Sequence, residues 1–141
     1  MDIRHGIDIA APVGTVFALY AEPRRWPEWD SETVAVELSA LLPGEAGWLT
    51  PRKGPRARVR VSEVVPDRSF TVEAALPLCR MRFGHELDAR QGWTRATHWV
   101  DFTGLLAFVF RRLVGRGIDA TLPATLAGLK AAAERRAGQA A

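Results

Sequence analysis

Alternation governs the start of the chain. Residues 2–10, DIRHGIDIA, set Ile3, His5, Ile7 and Ile9 on one side and Asp2, Arg4, Gly6 and Asp8 on the other. That period of two predicts a half-buried strand. Pro12 then opens a short helix, at a position where its missing N–H is no loss. Val13, Val16, Phe17 and Tyr20 give this helix a buried side at three- and four-residue steps. Pro23 ends it, and RRWPEWD (residues 24–30) predicts a second short helix or turn presenting Trp26 and Trp29.

From there the period is that of strands. Residues 33–42 alternate through Val34, Val36, Leu38 and Ala40, and Pro43 to Gly47 is a turn. A brief strand at Trp48–Thr50 and a loop from Pro51 to Pro55 follow. Residues 57–65 set Val59 and Val61 against Arg58 and Arg60, and Pro66-Asp67 marks the next turn. Phe70, Val72, Ala74 and Leu76 form another inward set, closed by Pro77. Residues 79–89 place Cys79, Met81, Phe83, His85 and Leu87 on one face. Gln91-Gly92 predicts a two-residue hairpin loop, after which Ala96, His98, Val100 and Phe102 face inward on residues 94–103.

The end of the chain, Leu105 to Arg136, has the one sustained helical period. Leu106, Phe110, Leu113 and Val114 share a face, and Ile118, Leu122, Leu126, Leu129 and Ala133 continue a stripe. Gly115 and Gly117, each costing about 1 kcal/mol in a helix interior, predict a break or kink there, and Pro123 a further one. Arg111, Arg112, Arg116 and Asp119 make the segment too charged to span a membrane. Strands joined by tight turns form antiparallel sheets. The expected fold class is therefore α+β: about seven curved antiparallel strands wrapped around a long C-terminal helix, with two short helices after the first strand.

The totals narrow the class. A chain of 141 residues is expected to form one domain, over residues 1–141, with a real core. Only the Ala/Gly-rich last few residues invite disorder. One cysteine, Cys79, excludes an internal disulfide and points to a reducing cytoplasm, and no stretch has signal-peptide character. The charge of +3 permits acidic partners without demanding them.

The opening IDIAAPVGTVFALYAEPRRWPEWD (Ile7–Asp30), EVVPDRSFT (Glu63–Thr71), FGHEL (Phe83–Leu87), TRATHWVDFTG (Thr94–Gly104) and LPATLAGLKAAAE (Leu122–Glu134) together resemble the SRPBCC superfamily. Its helix-grip fold is shared by START lipid-transfer domains, pollen-allergen-type proteins and polyketide cyclase/dehydrase proteins. The resemblance covers nearly the whole chain and is specific for the fold and the polyketide-cyclase-like branch. Fold does not fix activity. What it implies is a cavity of about 300–1,000 Å³ between sheet and terminal helix for a small apolar ligand, polyketide-like or aromatic.

The histidines are the candidate chemistry. With Gln91-Gly92 as the loop, His85 lies opposite His98, Phe83 opposite Val100 and Leu87 opposite Ala96, with Cβ atoms about 4.5–5.5 Å apart. Both histidines have the inward parity of their strands. One imidazole could take a proton beside a ketone while the other polarises a carbonyl, the first step of an aldol-type ring closure or dehydration. The bland alternative is a polar spot that bonds backbone, water or ligand without catalysis. A slipped loop would set the rings diagonally. Trp29, Trp48, Met81, Phe83, Val100 and Leu122 are the expected ligand contacts.

Other chemistries fit poorly. Cys79 lies about 20 Å along the strand from His85, too far to join the histidines on zinc, so no metal is expected. Gly115 to Ala120 matches G-x-G-x-x-A but lacks the strand before and the βαβ unit after that a dinucleotide needs, and no cofactor is expected. Arg52, Lys53, Arg56, Arg58 and Arg60 form a basic run with no aromatic between residues 52 and 60. That argues against nucleic acid and for a solvated strand face. The resemblance implies a sharper partner for it, an acidic acyl carrier protein. A non-catalytic lipid or quinone carrier, and a partner-binding module with its cavity packed shut, remain as alternatives.

Overall fold

The structure, a computed structural model, describes residues 2–140. The expected extent of 1–141 thus includes Met1 and Ala141, which lie outside the described residues. In chain order the elements are strand β1 (Ile3–Ile9), helix α1 (Val13–Tyr20), a 3₁₀ turn (Pro23–Glu28), and strands β2 (Thr33–Glu37) and β3 (Ala46–Pro51). Strands β4 (Ala57–Val65), β5 (Ser69–Leu76), β6 (Cys79–Ala89) and β7 (Thr94–Thr103) follow, then helices α2 (Ala107–Leu113) and α3 (Gly115–Ala140). The seven strands form one antiparallel sheet in the order β1-β7-β6-β5-β4-β3-β2. Strands β2 to β7 are a meander, each beside its predecessor as tight turns require, and β1 closes the far edge against β7.

Alternation decides what is buried. Val59, Val61, Phe70, Val72, Met81, Val100 and Phe102 all lie in the core on the concave face. The stripe on α3 meets them: Leu126, Leu129 and Ala133 are fully enclosed, while Ile118 and Leu122 are partly buried against the same cluster. The helix does not cover the sheet alone. It packs on β1 and against α1 and α2, and the 3₁₀ turn covers β2. Two contacts fix α3 to the residues just after that turn. Thr125 Oγ1 donates to Asp30 Oδ1 at 2.8 Å. Gly128 lies against the Trp29 carbonyl so closely that a Cβ would come within 1.9 Å of its oxygen.

The structure corrects several local expectations. The strand foreseen over 33–42 ends at Glu37, and a register shift between Thr33 and Ala35 turns Val34 out to solvent while Val36 stays buried. The helical segment does break, at Val114, between α2 and α3. Pro123 sits inside α3. Leu113 does not share the buried face of α2; it is exposed at the last residue before the break. The Ala/Gly-rich tail continues α3 to Ala140 rather than loosening.

Candidate functional site

The β6–β7 hairpin sets the site. Arg90 N–H donates to the Trp93 carbonyl at 2.9 Å, closing the loop around Gln91 and Gly92, and Gly92 takes the φ of 78° that such a loop requires. The register follows: His85 opposes His98, Phe83 opposes Val100 and Leu87 opposes Ala96. The two imidazoles meet edge to face with centroids 4.5 Å apart.

Each ring is held by a different partner. His85 stacks on Phe70 of the neighbouring strand, 3.8 Å away and 5° from parallel. Its Nδ1 lies 3.2 Å from the Phe70 carbonyl oxygen. A carbonyl only accepts, so Nδ1 carries the proton and the neutral ring keeps its lone pair on Nε2. His98 is buried, and its Nε2 lies 2.8 Å from the Tyr20 hydroxyl. Tyr20, at the end of α1, touches Phe70, His85 and His98 with ring centroids 4.9, 5.7 and 5.9 Å away. Its carbonyl accepts the Trp26 indole N–H at 3.0 Å, which ties the 3₁₀ turn to the same cluster.

Burial sets the protonation. Desolvation pushes His85 down to about 4, against the opposing effect of the Phe70 carbonyl. Desolvation, then repulsion from His85, holds His98 well below the ordinary imidazole range. Burial pushes the Tyr20 phenol up. Near pH 7 the cluster is therefore two neutral imidazoles and one phenol, an assembly of lone pairs and O–H and N–H donors without formal charge.

A third histidine extends the row. His5 on β1 pairs with His98 across the β1–β7 ladder, and its Nε2 lies 2.6 Å from Asp119 Oδ1 on α3. Sequence reasoning placed His5 on the inward face but left it, and Tyr20, outside the site. No short loop joins β1 to β7 or α1 to the hairpin, so there was no register to count from.

The remaining expected contacts divide. Met81 and Val100 are buried and share the face of the histidine pair; Phe83 and Leu122 are partly buried beside the core. Trp29 is buried with its ring 6.0 Å from Tyr20, and its Nε1–H has no hydrogen-bond partner among the described residues. It also borders a surface depression of about 220 Å³ that Leu19, Arg25 and Arg135 help to line. Trp48 is a correction. It pairs with Arg58 on the outer face, opposite in parity to Leu49. Arg56 and Arg58 lie 4.1 and 5.7 Å from its ring centroid, so it is outside the interior set. The aromatic missing from residues 52–60 is thus supplied across the strand pair. Among the described residues no group of three or more His, Cys, Asp or Glu could hold a metal ion, and no helix is long and apolar enough to cross a membrane.

Comparison with known proteins bears on this arrangement. The model of the family described as polyketide cyclase/dehydrase and lipid transport matches residues 1–134. The chain belongs to that family. Among solved structures, the fold of this family member is similar to that of the Zhui aromatase/cyclase from Streptomyces sp. R1128. That match has a TM-score of 0.78 at 18% identity and covers 95% of this chain and 93% of that one. It is also similar to TTHA0849 from Thermus thermophilus (TM-score 0.71, 14% identity, covering 93% and 95%). The di-domain ARO/CYC BexL of the BE-7585A biosynthetic pathway matches with a TM-score of 0.71 at 20% identity, over 93% of this chain and 45% of that one. At these identities the likeness is one of fold, and it identifies the curved sheet and terminal helix as the helix-grip arrangement. No protein of curated function matches the sequence.

Proposed function

We propose that this protein binds a small apolar molecule, polyketide-like or aromatic, between the sheet and α3, and promotes its cyclisation or dehydration by acid–base chemistry at His85 and His98. The observation that carries the reading is the neutral, apolar-walled cluster of His85, His98 and Tyr20, with the His85 lone pair on Nε2. The family and the aromatase/cyclase likeness support it. In this reading His85 Nε2 removes a proton from the carbon beside a ketone. The resulting enolate carbon forms a bond to a second carbonyl carbon, whose oxygen takes up the proton. Loss of a further adjacent proton then expels that oxygen as water. His98, with Tyr20 behind it, donates to the carbonyl that gains charge. Met81, Phe83, Val100, Leu122 and Trp29 supply the apolar wall, and an acidic acyl carrier protein is the source of a tethered substrate.

The test is turnover of a poly-β-ketone substrate set against binding of an unreactive aromatic analogue. His85→Ala and His98→Ala abolish product formation and leave binding nearly intact. Normal turnover in both variants overturns the acid–base assignment. One observation favours a second reading, carriage without turnover. A base held at about 4 is far from the operating pH at which proton transfer is most effective. Under that reading wild type binds the analogue and forms no product.

A further inference from the structure

One end of the sheet carries features that ligand binding in the interior does not use. In an antiparallel meander alternate connections fall at the same end. The β3–β4 loop (residues 52–56), the β5–β6 turn at Pro77-Leu78 and the turn from β7 into α2 therefore lie at the same end of the sheet. A direct bond confirms part of this: Leu106 N–H donates to the Leu78 carbonyl at 3.0 Å.

Large apolar side chains stand out from this end. Leu78 is 64% exposed, Leu105 79% and Phe108 61%. Isolated exposed leucines are ordinary, but three large apolar tips at one end are not. Leu78 is also held at φ 50°, a left-handed conformation uncommon outside glycine and asparagine and unfavourable for a bulky side chain. A turn made only to reverse the chain would place glycine there. Gly104, at φ 109°, packs so tightly on this turn that a Cβ would come within 2.7 Å of the Leu78 carbonyl oxygen. That approach sets Leu105 beside Leu78.

The charge around these tips has one dominant sign. Residues 102–118 contain three arginines and no acid. Arg111 is spent on Asp2 and the Phe102 carbonyl, but Arg112 and Arg116 are exposed and make no ion pair among the described residues. Phe108 and Arg112, four residues apart, share one face of α2, and Leu105 stands in the turn just before that helix. Exposed Arg52, Lys53 and Arg56 border the same end from the β3–β4 loop; of these Arg52 faces Glu32 at 3.5 Å and Arg56 lies over Trp48.

From this juxtaposition we infer that this end of the molecule docks on an anionic phospholipid surface, with Leu78, Leu105 and Phe108 entering the interface and the surrounding arginines and lysine meeting phosphates. A membrane suits the pattern better than a second protein. The tips project from a hairpin apex and a short helix on separate segments, and a fluid interface accepts them without matching pockets. Cations with no assigned partner suit a surface whose negative charges can move to meet them. Docking through this surface does not depend on the acid–base chemistry proposed above.

The experiment is sedimentation of the full-length protein with vesicles of phosphatidylcholine alone and of phosphatidylcholine with phosphatidylglycerol. The expected result is binding to the anionic vesicles only, weakened by salt. Phe108→Ser with Leu105→Ser, and separately Arg112→Glu with Arg116→Glu, should each lower partitioning by at least about tenfold while circular dichroism is unchanged. Failure to bind anionic vesicles, or binding unaffected by both double variants, overturns the inference. A dimer in light scattering that Phe108→Ser dissolves, without vesicle binding, assigns the face to a second copy and overturns it equally. So does retention by an acidic carrier protein without vesicle binding. Turnover of a substrate is read separately, so loss of one activity does not imply loss of the other.

Discussion

Replacing Tyr20 by phenylalanine tests the cluster at its most enclosed bond. The substitution removes one oxygen and keeps the ring, so the edge contacts with Phe17 and Phe70 persist. What disappears is the 2.8 Å partner of His98 Nε2. His98 is only 3% exposed, so water has little access to replace the hydroxyl. A buried polar atom left unpaired costs about 1–3 kcal/mol. For a chain of this length that corresponds to a melting temperature lower by about 3–10 °C. Urea unfolding near pH 7 measures the loss directly. The same substitution made on a His98→Leu background should cost about 1 kcal/mol less, because the atom it orphans is then absent. A single-variant loss below about 0.5 kcal/mol, or strict additivity of the pair, would refute the idea that this hydrogen bond organises the site.

Two further expectations concern pH and packing. Because the folded state holds both imidazoles below their ordinary range, the unfolded chain takes up protons first as the pH drops. Stability is then full above the ordinary imidazole range near 6.5 and declines toward about 4; His85 accounts for about 3 kcal/mol of that loss. Denaturant midpoints at several pH values check this, and His85→Phe, which keeps the stacking on Phe70, should flatten the decline; an unchanged slope would contradict it. Gly128→Ala should destabilise by about 1–3 kcal/mol through collision with the Trp29 carbonyl. It does so although alanine favours an isolated helix by about 1 kcal/mol, and a more stable variant would contradict the close approach of α3 to the 3₁₀ turn.

What was legible in the sequence was local. The β6–β7 register followed from counting outward from Gln91-Gly92, and it put His85 opposite His98 as found. The inward sets of β4 to β7 were legible because each strand runs for eight residues or more. Trp48 was misplaced because the strand reading there spanned only three residues, too few to fix which side faces in. Val34 was misplaced because a bulge shifts the register of β2 by an increment that alternation cannot reveal. Tyr20 and His5 were missed for a different reason. Their partners, His98 and Asp119, are brought to them by the closure of β1 against β7 and by the path of α3, contacts between segments some 80 to 115 positions apart. Helical period showed that α3 had a buried stripe, but not that Gly128 would touch the Trp29 carbonyl.

The central claim is that an apolar guest reaches the histidine pair inside the sheet. Long-range proton–nitrogen spectra of the imidazole side chains, recorded while a hydroxylated anthraquinone is titrated into the protein, address it directly. The account predicts saturable shifts at the His85 and His98 ring nitrogens, with smaller ones at His5. Binding to saturation that leaves the ring nitrogens of both His85 and His98 unmoved would contradict it.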